Sequence, residues 1–327
     1  GVRGATVAGP GGGAGAAAAG APSPKAIRGN YAFVQMALDA PHSVPRQIWR
    51  SLAMARALQR VSEYPLVLLS NSTTLLDGTE LAHRLHRLNV QVLPVHDVLV
   101  PVSAAKKLTS NERQALWKLQ IWRLTQFDKL IWLDSDAILV RSIDWLFERE
   151  PVWAQRRSRD CYSSDMAGEG LRISSGLMLA EPNEEVYDGL LAYARNAETM
   201  WWKNGHEQLI QDFFDRVVRQ PLRLLETSDA AFGSCLGRVP GLPYDERGAW
   251  DLPAFVHKSS KMNECFFFDT SAQQVVERGS RLNVCHYHPL GAWWRNLFCS
   301  AVHDLGIEDH EAGEFCNDAT WYSDNVV

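Results

Sequence analysis

The sequence predicts an α/β protein built on a doubly wound, mostly parallel sheet. Three observations lead to this class. Short apolar runs alternate with segments of helical period through the first hundred or so residues. The run Leu130-Ile-Trp-Leu133 is apolar at every position, as expected of a strand buried on both faces. The 327 residues carry apolar and charged fractions typical of a globular chain, with no run long enough to span a membrane.

The elements follow in order. Tyr31–Leu38 reads as a first strand, and Asp39-Ala-Pro-His42 as the loop after it. Ser43 opens a helix with Pro45 in its first turn and Ile48, Leu52, Ala55 and Leu58 along one side. Pro65–Leu69 is a second strand, Leu81, Leu85 and Leu88 mark a second helix, and Val90–Val95 is a third strand. Thr109-Ser-Asn-Glu112 has the spacing of a capping box and should open a long helix, with Leu116, Leu119, Trp122 and Leu124 on its apolar side. That helix feeds the strand ending at Asp134. Ile173–Ala180 is a further strand, Glu184–Arg195 a helix, and Asn204-Gly-His-Glu-Gln208 the start of a helix running on to Arg216. The segment from Pro221 to Asp269 is rich in turns and yields no clear element.

The chemistry centres on Asp134 and Asp136. Residues two apart on a strand share a face, so continued extension through Ser135 would align the two carboxylates. Ligands bind outside the carboxyl ends of the strands in open α/β sheets, and two aligned carboxylates there suit a hard divalent cation. A cap for the next helix or a solvated loop is the plainer alternative. A third reading comes from the apolar-Asp-x-Asp-x-apolar pattern. It resembles the nucleophile motif of haloacid-dehalogenase-type phosphatases, although there the motif closes the first strand of the core.

Net charge is −5 with both signs interspersed, which sets nucleic acid aside as a partner. The six cysteines all lie in the second half of the chain and include no C-x-x-C pair, so a zinc site is not expected and disulfides are open. Asn71-Ser-Thr73 is a glycosylation acceptor pattern. The first residue is Gly, so a fragment or processed product is expected, with a membrane anchor outside these residues left open. The Gly/Ala/Pro-rich residues 1–29 are expected to be a disordered linker or stem. Near the other end, Val284-Cys-His286-Tyr-His288-Pro-Leu-Gly291-Ala-Trp-Trp294-Arg295 places two histidines on one face of an apparent strand.

Taken together, the motifs over about residues 31–296 resemble the glycogenin-like glycosyltransferases, glycosyltransferase family 8 with a GT-A fold. Ala32-Phe-Val34 resembles the opening strand, and Trp117-Lys-Leu-Gln-Ile-Trp122 the Thr-Lys-Leu-x-x-Trp helix. Leu133-Asp-Ser-Asp-Ala-Ile-Leu-Val140 with Ile143-Asp-x-Leu-Phe147 resembles the Asp-x-Asp segment and its sequel. Ile173-Ser-Ser-Gly-Leu177 resembles the Phe-Asn-Ser-Gly-Val strand, and His-x-x-Gly before Trp the closing motif.

The resemblance implies a catalytic domain over residues 30–298 and a tail over 299–327. It implies a retaining, metal-dependent transfer of a hexosyl group from a UDP-sugar to a glycan or protein acceptor. Asp134, Asp136 and His288 would hold Mn2+ or another divalent cation, with His286 the alternative third ligand. Ala32, Phe33, Val34, Asp39, Lys118, Ser135, Ser174, Ser175 and Gly291 would line the nucleotide-sugar. Glu207 and Gln208 would stand for the family's Asp-Gln pair beside the reacting sugar, with Lys118 assisting. The chain departs from the family at Asp39 (Asn), Ser174 (Asn), Glu207 (Asp) and Ala292-Trp-Trp294, which lacks the closing Lys. These departures motivate a third possibility, a nucleotide- or glycan-binding protein that keeps the fold without catalysis. The Golgi lumen is the expected compartment, with the cytoplasm as alternative.

Overall fold

The computed structural model describes residues 30–38, 44–72, 80–95, 108, 110–157, 172–196, 205–232, 253–257, 289–308, 313 and 316–317. Its elements in chain order are β1 (Tyr31–Ala37), α1 (Val44–Val61), β2 (Leu66–Ser70), α2 (Leu81–Leu85), β3 (Val90–Pro94), α3 (Ser110–Ala115), β4 (Lys129–Leu133), β5 (Ala137–Leu139), β6 (Trp153–Arg156), β7 (Ile173–Ala180), α4 (Glu184–Arg195), α5 (His206–Phe213), β8 (Arg223–Leu224), β9 (Ala230–Phe232), β10 (Phe255–His257) and α6 (Pro289–Leu305).

Seven strands form one sheet in the order β3-β2-β1-β4-β7-β6-β8. β1, β2, β3 and β4 pair in parallel, β7 runs antiparallel to both β4 and β6, and β8 is parallel to β6. The sheet is therefore mixed and mostly parallel, as the α/β alternation predicts. Side chains alternate across it into two apolar layers. Phe33, Ile131 and Leu133 enter the layer beneath α1 and α6, while Ala32, Val34, Leu130 and Trp132 enter the layer with Trp122, Leu209 and Phe213. A small second sheet, β5-β10-β9, continues from the end of β4.

Three expectations change. The segment after Thr109, itself outside the described residues, is not one long helix. Six residues of α3 pass into 3-10 turns over Leu116–Arg123. The buried residues Leu116, Leu119 and Trp122 are spaced by three, the repeat of a 3-10 helix, so this winding keeps all of them on one side. The backbone also does not stay extended through Ser135. It turns at Ser135 and Asp136 before β5 begins. Finally, α6 runs straight through the boundary expected between residues 298 and 299. Its Trp294 and Phe298 rings stack at 5.5 Å, Phe298 meets Trp49 of α1 at 5.6 Å, and Ala301, Val302 and Leu305 are buried. The helix past residue 298 is thus part of the core. A disulfide from Cys299 to Cys316 ties the following segment to it.

Candidate active site

The site lies where β4 and β7 end against the small sheet. Leu133 is the last paired residue of β4, opposite Leu177. One more ladder bond follows, from Asp134 N–H to the Gly176 carbonyl at 2.8 Å, and fixes the Asp134 backbone. The turn at Ser135 and Asp136 then sends the chain into β5. β10 pairs with β5 so that His257 stands opposite Ala137, immediately beside Asp136. Nε2 of His257 is 3.1 Å from Asp136 Oδ1 and 3.6 Å from Asp134 Oδ2.

Asp134, Asp136 and His257 each bring a ligand atom within 4.8 Å of the others, the cluster of this kind among the described residues. Two carboxylates and an imidazole are a donor set suited to a divalent cation. Asp134 and Asp136 are the expected pair. Among the described residues the third member is His257, 121 residues away from Asp136 in sequence. His288 and its alternative His286 lie outside the described residues.

The second carboxylate oxygen of Asp134 is held from behind. Oδ1 accepts from Trp132 Nε1 at 2.7 Å and pairs with Lys118 Nζ at 2.6 Å. Lys118, 6 % exposed, lies over the Trp132 ring and donates to Ser175 Oγ at 3.0 Å. Lys118 therefore reaches into the site and is not a solvent-facing lysine. Trp132 contacts the site through its indole N–H, a contact that the apolar run of β4 hides, because a Trp within such a run reads as core.

Ser175 and Gly176 sit on an irregular part of β7. Ala154 pairs with Met178 but Gln155 pairs with Ser174, so Ser175–Leu177 have no partner on β6. Such bulges re-aim side chains beside active sites. Ser175 N–H donates to Glu207 Oε1 at 3.0 Å, and Ser175 Oγ lies 2.7 Å from His206 Nε2. The start of α5 thus presents His206 and Glu207 to the bulge. His206 is only partly exposed and closely surrounded. Desolvation, then the Lys118 charge, pushes its pKa down to about 3, so the ring is neutral.

The remaining expected residues fall differently. Gln208 donates to Asp212 one turn along α5 at 2.6 Å, while His206 and Glu207 meet Ser175 of β7. Ser174 is buried, its hydroxyl accepting from Gly176 N–H. Ser135 is partly exposed in the turn. Ala32, Phe33 and Val34 are 0 % exposed and serve as core of β1, with no surface for a ligand. They sit on an interior strand, covered on both faces. Asp39 lies outside the described residues, and Gly291 is in the first turn of α6.

No family model matches the chain. Its sequence is similar to glycogenin-1 of Oryctolagus cuniculus, 25 % identical over 199 residues that cover 57 % of this chain and 52 % of the relative. It is also similar to UDP-glucuronate:xylan alpha-glucuronosyltransferase 1 of Arabidopsis thaliana, 29 % identical over 91 residues, 28 % of this chain and 12 % of that one. The chain spans about half the length, or less, of the curated relatives it matches. Among solved structures, it is similar to the galactosyltransferase LgtC in complex with donor and acceptor sugar analogs, with a TM-score of 0.46, 11 % identity and coverage of 70 % of this chain and 87 % of that one. The chain is thus similar in sequence to glycogenin and to plant glucuronosyltransferases over part of its length, and its sheet is mixed and mostly parallel with helices on both faces.

Proposed function

We propose that the protein is a metal-dependent glycosyltransferase that moves a hexosyl group from a UDP-sugar to a glycan or protein acceptor with retention of anomeric configuration. The observation that carries this reading is the convergence of Asp134, Asp136 and His257 at the end of β4 in a chain with glycogenin relatives. Asp134 and Asp136 would hold Mn2+ through carboxylate oxygens and His257 through Nε2. When bound, the ion supplies positive charge against the leaving diphosphate.

The chain's own residues do the rest. Lys118 brings a fixed cation to the same end of β4, where it adds to stabilisation of the leaving group. Trp132 and Lys118 restrain Asp134 through Oδ1, so that Oδ2 keeps facing His257. Glu207, held by Ser175 N–H, offers a carboxylate oxygen to an oxocarbenium-like sugar centre. His206 stays neutral, so it adds hydrogen-bonding capacity without a repelling charge. Holding donor and acceptor side by side contributes much of the remaining acceleration. The Cys299–Cys316 bridge and the exposed Asn71 of the acceptor pattern support passage through the secretory pathway, with the Golgi lumen as its place of action.

A donor screen tests the reading. The full chain is incubated with Mn2+ and a panel of UDP-sugars, and UDP release is followed with and without EDTA. Release from one sugar, lost with EDTA and in Asp136→Ala, is the expected result. UDP binding without release from any sugar, even with candidate acceptors added, would overturn catalysis in favour of a binding role.

A further inference from the structure

The third member of the metal cluster is oriented from the far side of its ring. His257 Nδ1 lies 3.2 Å from Gln155 Oε1, and both side chains are buried, Gln155 at 0 % exposure. Gln155 comes from β6, at the point where its pairing with β7 jumps from Met178 to Ser174. Gly176 is wedged between them, its missing β-carbon leaving the room that the ring and the amide oxygen occupy. Among the described residues Gln155 Nε2 has no hydrogen-bond partner, and Oε1 is the end of the amide that meets the imidazole.

We infer that Gln155 is a positioning residue that holds His257 in the Nδ1–H tautomer, leaving the Nε2 lone pair facing Asp134 and Asp136 for a divalent ion. The chemistry is direct. A neutral imidazole carries one proton, and an acceptor at Nδ1 draws it there. Only the opposite nitrogen can then ligate. A side-chain acceptor behind a ligating His also fixes the ring plane, and losing such a partner commonly costs 10–100-fold in metal affinity. The inference rests on the metal reading above.

The test has two arms. In the wild-type chain loaded with diamagnetic Zn2+, 15N-labelled histidine is observed by long-range 15N–1H correlation, because without a cation the Asp136 carboxylate, 3.1 Å from Nε2, competes for the proton. The expected pattern for His257, assigned with His257→Gln, is the Nδ1–H tautomer; a predominant Nε2–H tautomer overturns the inference. In the second arm, Mn2+ binding is titrated calorimetrically for wild type, Gln155→Leu and Gln155→Glu. Leu cannot accept a hydrogen bond, so affinity should fall at least about tenfold, whereas Glu keeps an acceptor and should stay within about threefold of wild type. Equal affinity in a folded Gln155→Leu overturns the inference, as does an equal loss in both variants, which would mark a packing role. The two failures separate. A wild-type chain that binds no Mn2+ overturns the metal reading, whereas binding indifferent to Gln155→Leu overturns only the role of Gln155. If Gln155→Leu does not fold, the tautomer measurement decides.

Discussion

Gly176 and His257 occupy space that only a residue without a side chain allows. A β-carbon at position 176 would stand 2.3 Å from both Cε1 and Nδ1 of the His257 ring and 3.0 Å from Gln155 Oε1. The imidazole is buried and hydrogen-bonded, so it has little freedom to move aside. Gly176→Ala should therefore displace His257 from the two aspartates while leaving the rest of β7 in register. Mn2+ affinity measured by calorimetry should drop by about tenfold or more, with a far smaller change in far-UV circular dichroism. Unchanged affinity would show that His257 is not a ligand.

Trp132 bears on the same cluster from the opposite side. Trp132→Phe keeps an aromatic ring beneath Lys118 but removes the Nε1–H that Asp134 Oδ1 accepts. A hydrogen bond to a charged group contributes about 1.5–3 kcal/mol. The variant should lose about tenfold in kcat/KM for the donor identified by the screen. Urea denaturation, run in parallel, separates this from general destabilisation. A loss confined to stability would reduce Trp132 to a packing residue.

His206 links the site to pH. Its folded pKa of about 3 lies below the unfolded value of 6.5. The contribution to stability is therefore complete above about pH 6.5 and is lost progressively as pH falls toward 3, because the unfolded chain then binds a proton that the native ring does not. Between pH 7.5 and 5.5 wild type should lose about 1.4 kcal/mol more than His206→Gln. Urea midpoints at the two pH values measure the difference. Parallel losses in the two proteins would mean that His206 titrates normally in the fold.

The disulfide makes a prediction on the other side of the sheet. Cys299 and Cys316 close a short loop, with a sequence separation of 17, onto the buried helix α6. Chain-entropy arguments assign a cross-link of this size about 3 kcal/mol. Cys299→Ser paired with Cys316→Ser should lower the melting temperature by several degrees, and reductant should bring wild type toward the double variant. A melting temperature insensitive to both would show that the bridge does not form in solution.

Much of this architecture is written locally. The bounds of β7 and α4, at Ile173–Ala180 and Glu184–Arg195, coincide with the sequence expectation. Strand patterns depend on side chains two apart, and Asn183 caps α4 with its own carboxamide, bonding Glu185 and Val186 N–H. Residues 116–123 were less legible, because a three-residue apolar spacing fits an α-helix almost as well as the 3-10 turns actually formed.

The α/β order, the placement of Asp134 and Asp136 at the end of a buried strand, and the candidacy of Lys118, Ser175 and Glu207 are legible in the sequence alone. These follow from short-range pattern and from motif order. That His257 joins Asp134 and Asp136 among the described residues, that Gln155 stands behind it and that His206 meets Ser175 emerges only in the folded chain. The reason is pairing register. His257 belongs to a three-residue strand in a turn-rich stretch, too short to carry a periodic signal, and reaches Asp136 because β10 pairs with β5. Gln155 reaches it because β6 skips three residues of β7. Contacts across such separations depend on which strands lie side by side, and no local pattern encodes that.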